Sequence, residues 1–308
     1  MVKKLLTKKR TLAVTKKRRQ VSNELDAPAL GHAAMLNDPC GAALVPSVYP
    51  GDIGYTNRFV ANSTIGISAG QTCWLLAIKA GNQATSFSGD SVPSNPATLA
   101  YATGNFPGSA FLAGQASKVR TVATCVTIRP NSAPNTATGT IHFGIVSCAA
   151  LPNAGVLSYE QAVLLCTESV SASQALMAPL EVKWVPGSFD DRYNTQGAIT
   201  DDDSDRNVLV VVGIGFPPAT GVQLRTTGIC EWSPRATVGI GYDATNVKES
   251  VCDKECVLRY LKKRKADWWW NLGTSAYKVM SSAVSGYYSG GVIGAMTNTG
   301  KMVGRMIR

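Results

Sequence analysis

Apolar residues in this chain recur at every second position over seven runs, separated by clusters of Gly, Pro, Ser and Asn. The runs are 58–67 (RFVANSTIGI), 72–79 (TCWLLAIK), 118–129 (KVRTVATCVTIR), 138–147 (TGTIHFGIVS), 180–185 (LEVKWV), 207–215 (NVLVVVGIG) and 222–232 (VQLRTTGICEW). A period of two reads as β-strand, because successive side chains point to opposite faces. In 118–129 the alternation sends Val119, Thr121, Ala123, Cys125 and Thr127 to one face, and Arg120, Val122, Thr124, Val126 and Ile128 to the other. Residues 207–215 are apolar on both faces, the pattern of a strand buried between layers. An eighth strand would be short or poorly patterned, and 194–200 is the best candidate. Residues 82–114 have the Ser, Gly, Pro and Asn content of a long surface loop.

Helical spacing is sparse. Residues 158–166 (SYEQAVLLC) predict one short helix in the body, with Ser158 as N-cap and Gln161 three residues on. The irregular stretch 21–56 holds a short helix near 27–36. After Pro234 the character changes: 249–260 carries apolar residues at helical spacing (Val251, Val257, Leu258, then Leu261), followed by the block Lys262, Lys263, Arg264, Lys265 and by Trp268, Trp269 and Trp270. Glycines at 286, 290, 291, 294, 300 and 304 argue against one long rigid helix in the last part. Many strands, long loops and little helix predict an all-β sandwich. A jelly roll and an immunoglobulin-like sandwich both fit, but the Cys–Trp–Cys spacing of antibody domains is missing, and an eight-stranded antiparallel jelly roll is the reading adopted. The chain then divides into an arm (1–30), a shell-like body (31–247) and a C-terminal helical, basic and Trp-rich segment (248–308).

Charge sharpens this division. The 308 residues hold 30 Lys and Arg against 20 Asp and Glu, a formal net charge of +10. Residues 1–20 alone carry nine bases and no acid: Lys3, Lys4, Lys8, Lys9, Arg10, Lys16, Lys17, Arg18 and Arg19. Residues 21–247 sum to −6 and residues 248–308 to +7. An arm so rich in like charge does not fold alone. Its natural partner is a polyanion such as RNA, bound through counterion release with little regard to sequence. Lys262, Lys263, Arg264 and Lys265 extend the same chemistry to the other end.

Catalysis built on several imidazoles is excluded, because the only histidines are His32 and His142. No P-loop, GxGxxG or HExxH motif occurs. No apolar run reaches the roughly 18 residues of a spanning helix, and the basic N-terminus is not followed by the apolar stretch of a secretory signal. Cys252 and Cys256 lie four apart, but a zinc site would need two further ligands and neither histidine is nearby in sequence. The densest acidic cluster is Asp190, Asp191, Asp201, Asp202, Asp203 and Asp205. Hard oxygen donors gathered in loops suit Ca2+, which takes about six to eight of them, and such a site could use acids from neighbouring subunits. Trp268, Trp269 and Trp270 beside a basic block fit a membrane interface, or a segment packed under a protein shell while its basic residues hold nucleic acid.

Five stretches in order resemble the coat proteins of small positive-strand RNA viruses, of the nodavirus-like and tombusvirus-like type. Asn37-Asp38-Pro39, then Tyr49-Pro50-Gly51-Asp52 and 55–59, resemble the lead-in to the first shell strand. Residues 118–130 with 139–145 resemble the central strand pair, and 182–186 (VKWVP) the strand before the acidic loop. Residues 207–217 resemble the late apolar strand, and 230–234 (CEWSP) the end of the last one. The resemblance implies a jelly-roll shell domain that assembles with copies of itself into an icosahedral capsid. Its arm would line the interior and neutralise the RNA genome, with host attachment through outer loops such as 82–114 and membrane contact by the C-terminal segment during entry. It also implies residence in the virion, and in the host cytoplasm during assembly. Some relatives cut their own chain at an Asn-Ala junction near the C-terminus with the help of an aspartate, and Asp38 occupies the matching position. Here the junction reads Lys265-Ala266, and the nearest asparagines, Asn246 and Asn271, precede Val and Leu. That leaves the chemistry without its nucleophile, so no enzymatic activity is expected. The rival reading is a cellular RNA-binding β-sandwich protein, which needs the arm but no shell.

Overall fold

The computed structural model describes residues 25–79, 83–89, 107–133, 136–147, 159–187, 189–195, 206–235, 250–264 and 269–272. In chain order its elements are α1 (Ala27–Asn37), β1 (Tyr55–Gly66), β2 (Cys73–Lys79), β3 (Gln83–Gly89), α2 (Ser109–Gln115), β4 (Ala116–Pro130) and β5 (Thr140–Ser147). There follow α3 (Tyr159–Leu164), β6 (Glu168–Ser171), α4 (Ala172–Met177), β7 (Leu180–Lys183), β8 (Asn194–Thr195), β9 (Asn207–Ile214), β10 (Gly221–Pro234), α5 (Lys254–Arg264) and β11 (Trp270–Leu272).

The strands form two sheets, ordered β1-β10-β4-β7-β11 (with β8 on β4) and β3-β2-β9-β5-β6. Eight of them pair as nested antiparallel couples: β1 with β10, β2 with β9, β4 with β7, β5 with β6. Each couple lies inside the previous one in sequence, and the chain passes from sheet to sheet. A long hairpin rolled around a core has this pairing, and the fold is an all-β, eight-stranded antiparallel jelly roll.

All seven strands expected from alternation are present, within a few residues of their expected ends. The eighth is not where the sequence pattern placed it. Asn194–Thr195 makes only a two-residue contact with β4, at Lys118↔Thr195 and Val119↔Asn194. The eighth jelly-roll strand is β6, four residues (ESVS) too short and polar to show a period. Seven residues of the expected long loop, Gln83–Gly89, are instead strand β3 on the edge of β2. Helix α4 begins with a capping box, in which the Ser171 hydroxyl accepts from Gln174 N and the Gln174 side chain accepts from Ser171 N.

Strand β4 corrects the simple alternation. Its register against β10 shifts between Ile229 and Cys230, which face Ala123 and Thr121, so Val122 is an extra residue. A bulge of this kind moves the following side chains to the opposite face. Val119 therefore shares the inter-sheet core with Val126 and Ile128, while Val122 and Ala123 face outward together.

Apolar packing occupies three layers. Between the sheets lie Trp74, Phe143, Ile128, Leu209, Val211 and Trp184, with the Trp184 indole donating to Asn207 O at 2.9 Å. Helix α3 covers the outer side of the second sheet through Tyr159 and Ala162, which meet Val208, Val210 and Val212. That cover explains why β9 is apolar on both faces. Helices α1 and α5 cover the outer side of the first sheet, where Met35, Leu36, Val257 and Leu261 meet Val122, Ala123 and Ile229. Each such side chain, fully buried, contributes about 1.5–3 kcal/mol, so this helical layer is part of the folded body rather than an appendage.

Candidate functional site

The helix-covered face of the first sheet is where α1, α5, buried charge and candidate residues meet. Helix α1 starts at Asp26, whose side chain accepts from Ala29 N at 3.2 Å, with Pro28 in the first turn. Asp26 also accepts from Ser250 Oγ at 2.7 Å and Val251 N at 2.8 Å, which ties the head of α1 to the approach to α5. At the other end, Asn37 and Arg264 line one cleft of about 340 Å³, so the two helices run side by side in the same direction.

Beneath them lies a charged network with Arg120 and Glu231 at its centre, both fully buried. Arg120 Nη2 lies 3.1 Å from Glu231 Oε1, and Arg120 Nε 3.2 Å from Oε2, a two-pronged contact. Arg120 also donates to Pro50 O at 2.7 Å and Asp191 O at 3.2 Å, and its guanidinium lies 4.2 Å from the Tyr193 ring centre. Glu231 accepts from Ser47 Oγ at 2.5 Å, Gly54 N at 2.7 Å and the Tyr193 hydroxyl at 3.2 Å. One ion pair thus fixes the lead-in to β1 and the loop before β8. Lys254 extends it to α5, with Nζ 3.1 Å from Asp191 Oδ2 and 2.7 Å from Gly187 O.

His32 of α1 is buried above this network. Its Nδ1 accepts from Val48 N at 3.0 Å, which places the proton of the neutral ring on Nε2. Burial, and next the charge of Arg120, hold its pKa down to about 3. Tyr49 packs edge-on against it at 4.7 Å and donates to Val122 O at 3.1 Å, satisfying the backbone at the bulge. In the sequence, His32 is marked only by its place in the helix near 27–36.

The sequence candidates separate as follows. Asp190 and Asp191 are engaged within the protein rather than open to a cation. Asp190 Oδ2 accepts from Gly187 N at 2.5 Å and Asn207 N at 3.0 Å, with burial pushing its pKa up, and Asp191 pairs with Lys254. Among the described residues no group of three or more His, Cys, Asp or Glu could hold a metal ion. The Ca2+ expectation rests on Asp201, Asp202, Asp203 and Asp205, which lie outside the described residues. Asp38 ends α1 as an exposed turn residue that accepts from Gly41 N at 2.8 Å, not the buried acid that self-cleavage requires.

Lys262, Lys263 and Arg264 form the exposed last turn of α5, where cations also favour the helix dipole. The basic block therefore belongs to the helix instead of following it, and Val251 lies before the helix, 80% exposed. Trp269 and Trp270 are half-buried, each ring 5.6 Å from Phe143, and Trp270 opens β11 beside Val182. Both pack against the inter-sheet core. Lys3, Lys4, Lys8, Lys9, Arg10, Lys16, Lys17, Arg18, Arg19, Lys265 and Trp268 lie outside the described residues.

Among solved structures, the infectious bursal disease virus Gx strain matches with a TM-score of 0.50 at 9% identity, over 79% of this chain and 97% of that one. The VP2 subviral particle of infectious bursal disease virus gives 0.46 at 8% identity, over 92% and 99% of the chains. Turnip yellow mosaic virus gives 0.35 at 16% identity, over 65% and 92%. At such identities the likeness is one of fold, and the first of the three carries it: the jelly roll of this chain is similar to that of the infectious bursal disease virus structure. No protein-family model and no curated protein matches the sequence.

Proposed function

We propose that this chain is the capsid protein of a small positive-strand RNA virus, of nodavirus-like type, which assembles with copies of itself into a closed icosahedral shell around RNA. One observation carries the reading. Helix α1, which continues directly from the basic residues 1–24, and helix α5, which ends in exposed Lys262, Lys263 and Arg264, form one layer on one face of the jelly roll. Both concentrations of positive charge are thereby joined to the same side. A shell enclosing a polyanion needs that asymmetry, whereas a freely tumbling RNA-binding protein does not. The low charge of residues 21–247, −6 in sum, suits a body that packs against its own copies.

The role is structural: the arm and α5 neutralise phosphate, the sandwich makes the subunit contacts, and the virion is the site of action. Expression of the full chain alone, followed by sedimentation and nuclease treatment, tests the reading. Fast-sedimenting particles with nuclease-resistant RNA are expected, and deletion of residues 2–20 should remove most of that RNA. A monomer at high concentration, or unchanged RNA after the deletion, contradicts it.

A further inference from the structure

On β10, the outward-facing side chains form one row: Glu231 and Ile229 under the helices, Thr227 touched by Cys40 at the end of α1, then Arg225 and Gln223. The inter-sheet core takes the alternate set, Trp232, Cys230, Leu224 and Val222. Beyond the helical layer no described helix or strand lies over this face, and a groove of about 430 Å³ runs across β1, β10 and β4 there. It is lined by Asn62, Thr64, Thr127, Arg129, Gln223 and Arg225 among others, with no carboxylate in the lining.

Arg225 faces Asn62 on one side and Thr127 on the other, while Gln223 lies between Thr64 and Arg129. Arg225 and Arg129 are thus diagonal neighbours on one face, about 7–8 Å apart at the backbone. Both are exposed, and neither makes a hydrogen bond or ion pair with a described residue. Arg58, on the same face, is by contrast spent on the carbonyls of Pro39 and Ala42. The nearest acid on the face, Glu181 opposite Thr127, is taken by Lys183 at 3.8 Å.

We infer that the groove between β1, β10 and β4 is a phosphate-binding track for single-stranded RNA, with Arg129 and Arg225 each taking a backbone phosphate and Asn62 and Gln223 contacting sugar or base edges. The inference rests on the reading of the chain as an RNA-enclosing shell and adds a contact on the sheet to the phosphate binding proposed for residues 1–20. Two guanidinium groups that have no hydrogen-bond or ion-pair partner among the described residues can fork onto phosphate oxygens; with amides and hydroxyls beside them and no carboxylate among the described lining residues, they are complementary to a nucleic-acid strand. Their position on the face already carrying α1 and α5 puts the track where enclosed RNA would lie. A neighbouring subunit's acidic loop is the competing occupant.

Ultraviolet crosslinking of RNA inside wild-type particles, read by mass spectrometry of the peptides, tests this. Crosslinks are expected in peptides spanning 127–129 and 223–225, and they should vanish in Arg129→Gln/Arg225→Gln particles while those of residues 1–20 persist. With dissociated full-length subunits and a uridine oligomer, the double variant should flatten the salt dependence of log K by about 1.4, two phosphates at roughly 0.7 each for single strands. Crosslinks confined to the arm, with an unchanged salt slope, overturn the track and leave the shell reading intact. A double variant that loses subunit contacts while the RNA crosslinks elsewhere and the salt slope stay unchanged assigns the groove to a protein neighbour, which also overturns it. Absence of particles and of RNA binding defeats the shell reading and the track together.

Discussion

Arg120 and Glu231 face each other on adjacent strands β4 and β10, paired at 3.1 Å with neither side chain exposed. Removing two charges from water is costly, and the pair persists because each remaining donor and acceptor finds a partner: Pro50, Asp191, Ser47, Gly54 and Tyr193. Its value is positional. It holds the lead-in to β1 and, through Asp191 and Lys254, the start of α5 against one sheet.

Breaking one side of this pair leaves the other charge buried. Glu231→Gln should lower the stability of the unassembled subunit by about 3–5 kcal/mol, read from urea unfolding. A loss below about 1 kcal/mol would show that Arg120 finds an equivalent partner.

His32 makes the helical layer sensitive to acid. Its folded pKa is held down to about 3 while the unfolded ring titrates at its ordinary 6.5, so between those values the unfolded chain binds a proton that the folded one refuses. Stability is therefore intact above pH 6.5 and falls as the pH drops towards 3, by about 1.4 kcal/mol per unit from this group. His32→Asn keeps an acceptor for Val48 N without the titration. Its stability should depend on pH less steeply than that of the wild type between these limits, and parallel curves would remove His32 as the cause.

Cys40 Sγ lies 2.9 Å from Cys125 Sγ and 3.4 Å from Thr227 Oγ1. The hydrogen bond with Cys125 holds the Cys40 thiol down to about 6, while that same contact and then burial push Cys125 up. Iodoacetamide at pH 7 should therefore modify Cys40 before Cys166, whose thiol burial pushes up to about 12. In a Cys125→Ala variant the inflection of Cys40 labelling should move to higher pH. An unchanged inflection would mean that Cys125 is not the cause.

Gly213 of β9 lies against the Trp74 indole, and a methyl group there would overlap the ring. Gly213→Ala should cost about 1–3 kcal/mol through displacement of Trp74 from the inter-sheet core, visible as a changed tryptophan emission maximum. Retention of both emission and stability would show that β2 and β9 can separate freely.

Much of the fold is legible in the sequence because strands buried on one or both faces leave a period or an apolar run, as 72–79 and 207–215 do. Strand β6 is illegible because ESVS is a four-residue edge strand with one buried side chain, Val170. The bulge at Val122 is hidden for another reason: it lies in the pairing with β10, and β4 is buried on both faces there, so no exposed position marks the change of face. The site was less legible than the fold. Arg120 and Glu231 are 111 residues apart, and nothing local marks them as partners. The phosphate-facing arginines, Arg129 and Arg225, stand singly in strands whose charge looks unremarkable until the register aligns them. Runs of charge such as Lys262, Lys263 and Arg264 need no partner to stand out in the sequence.

Electron cryomicroscopy of particles formed by the full chain tests the central claim most directly. The account predicts closed icosahedral shells in which the β1-β10-β4-β7 face, with α1 and α5 upon it, lines the inner surface against RNA density. Shells with these helices on the outer surface, or a protein that forms no shell, would contradict it.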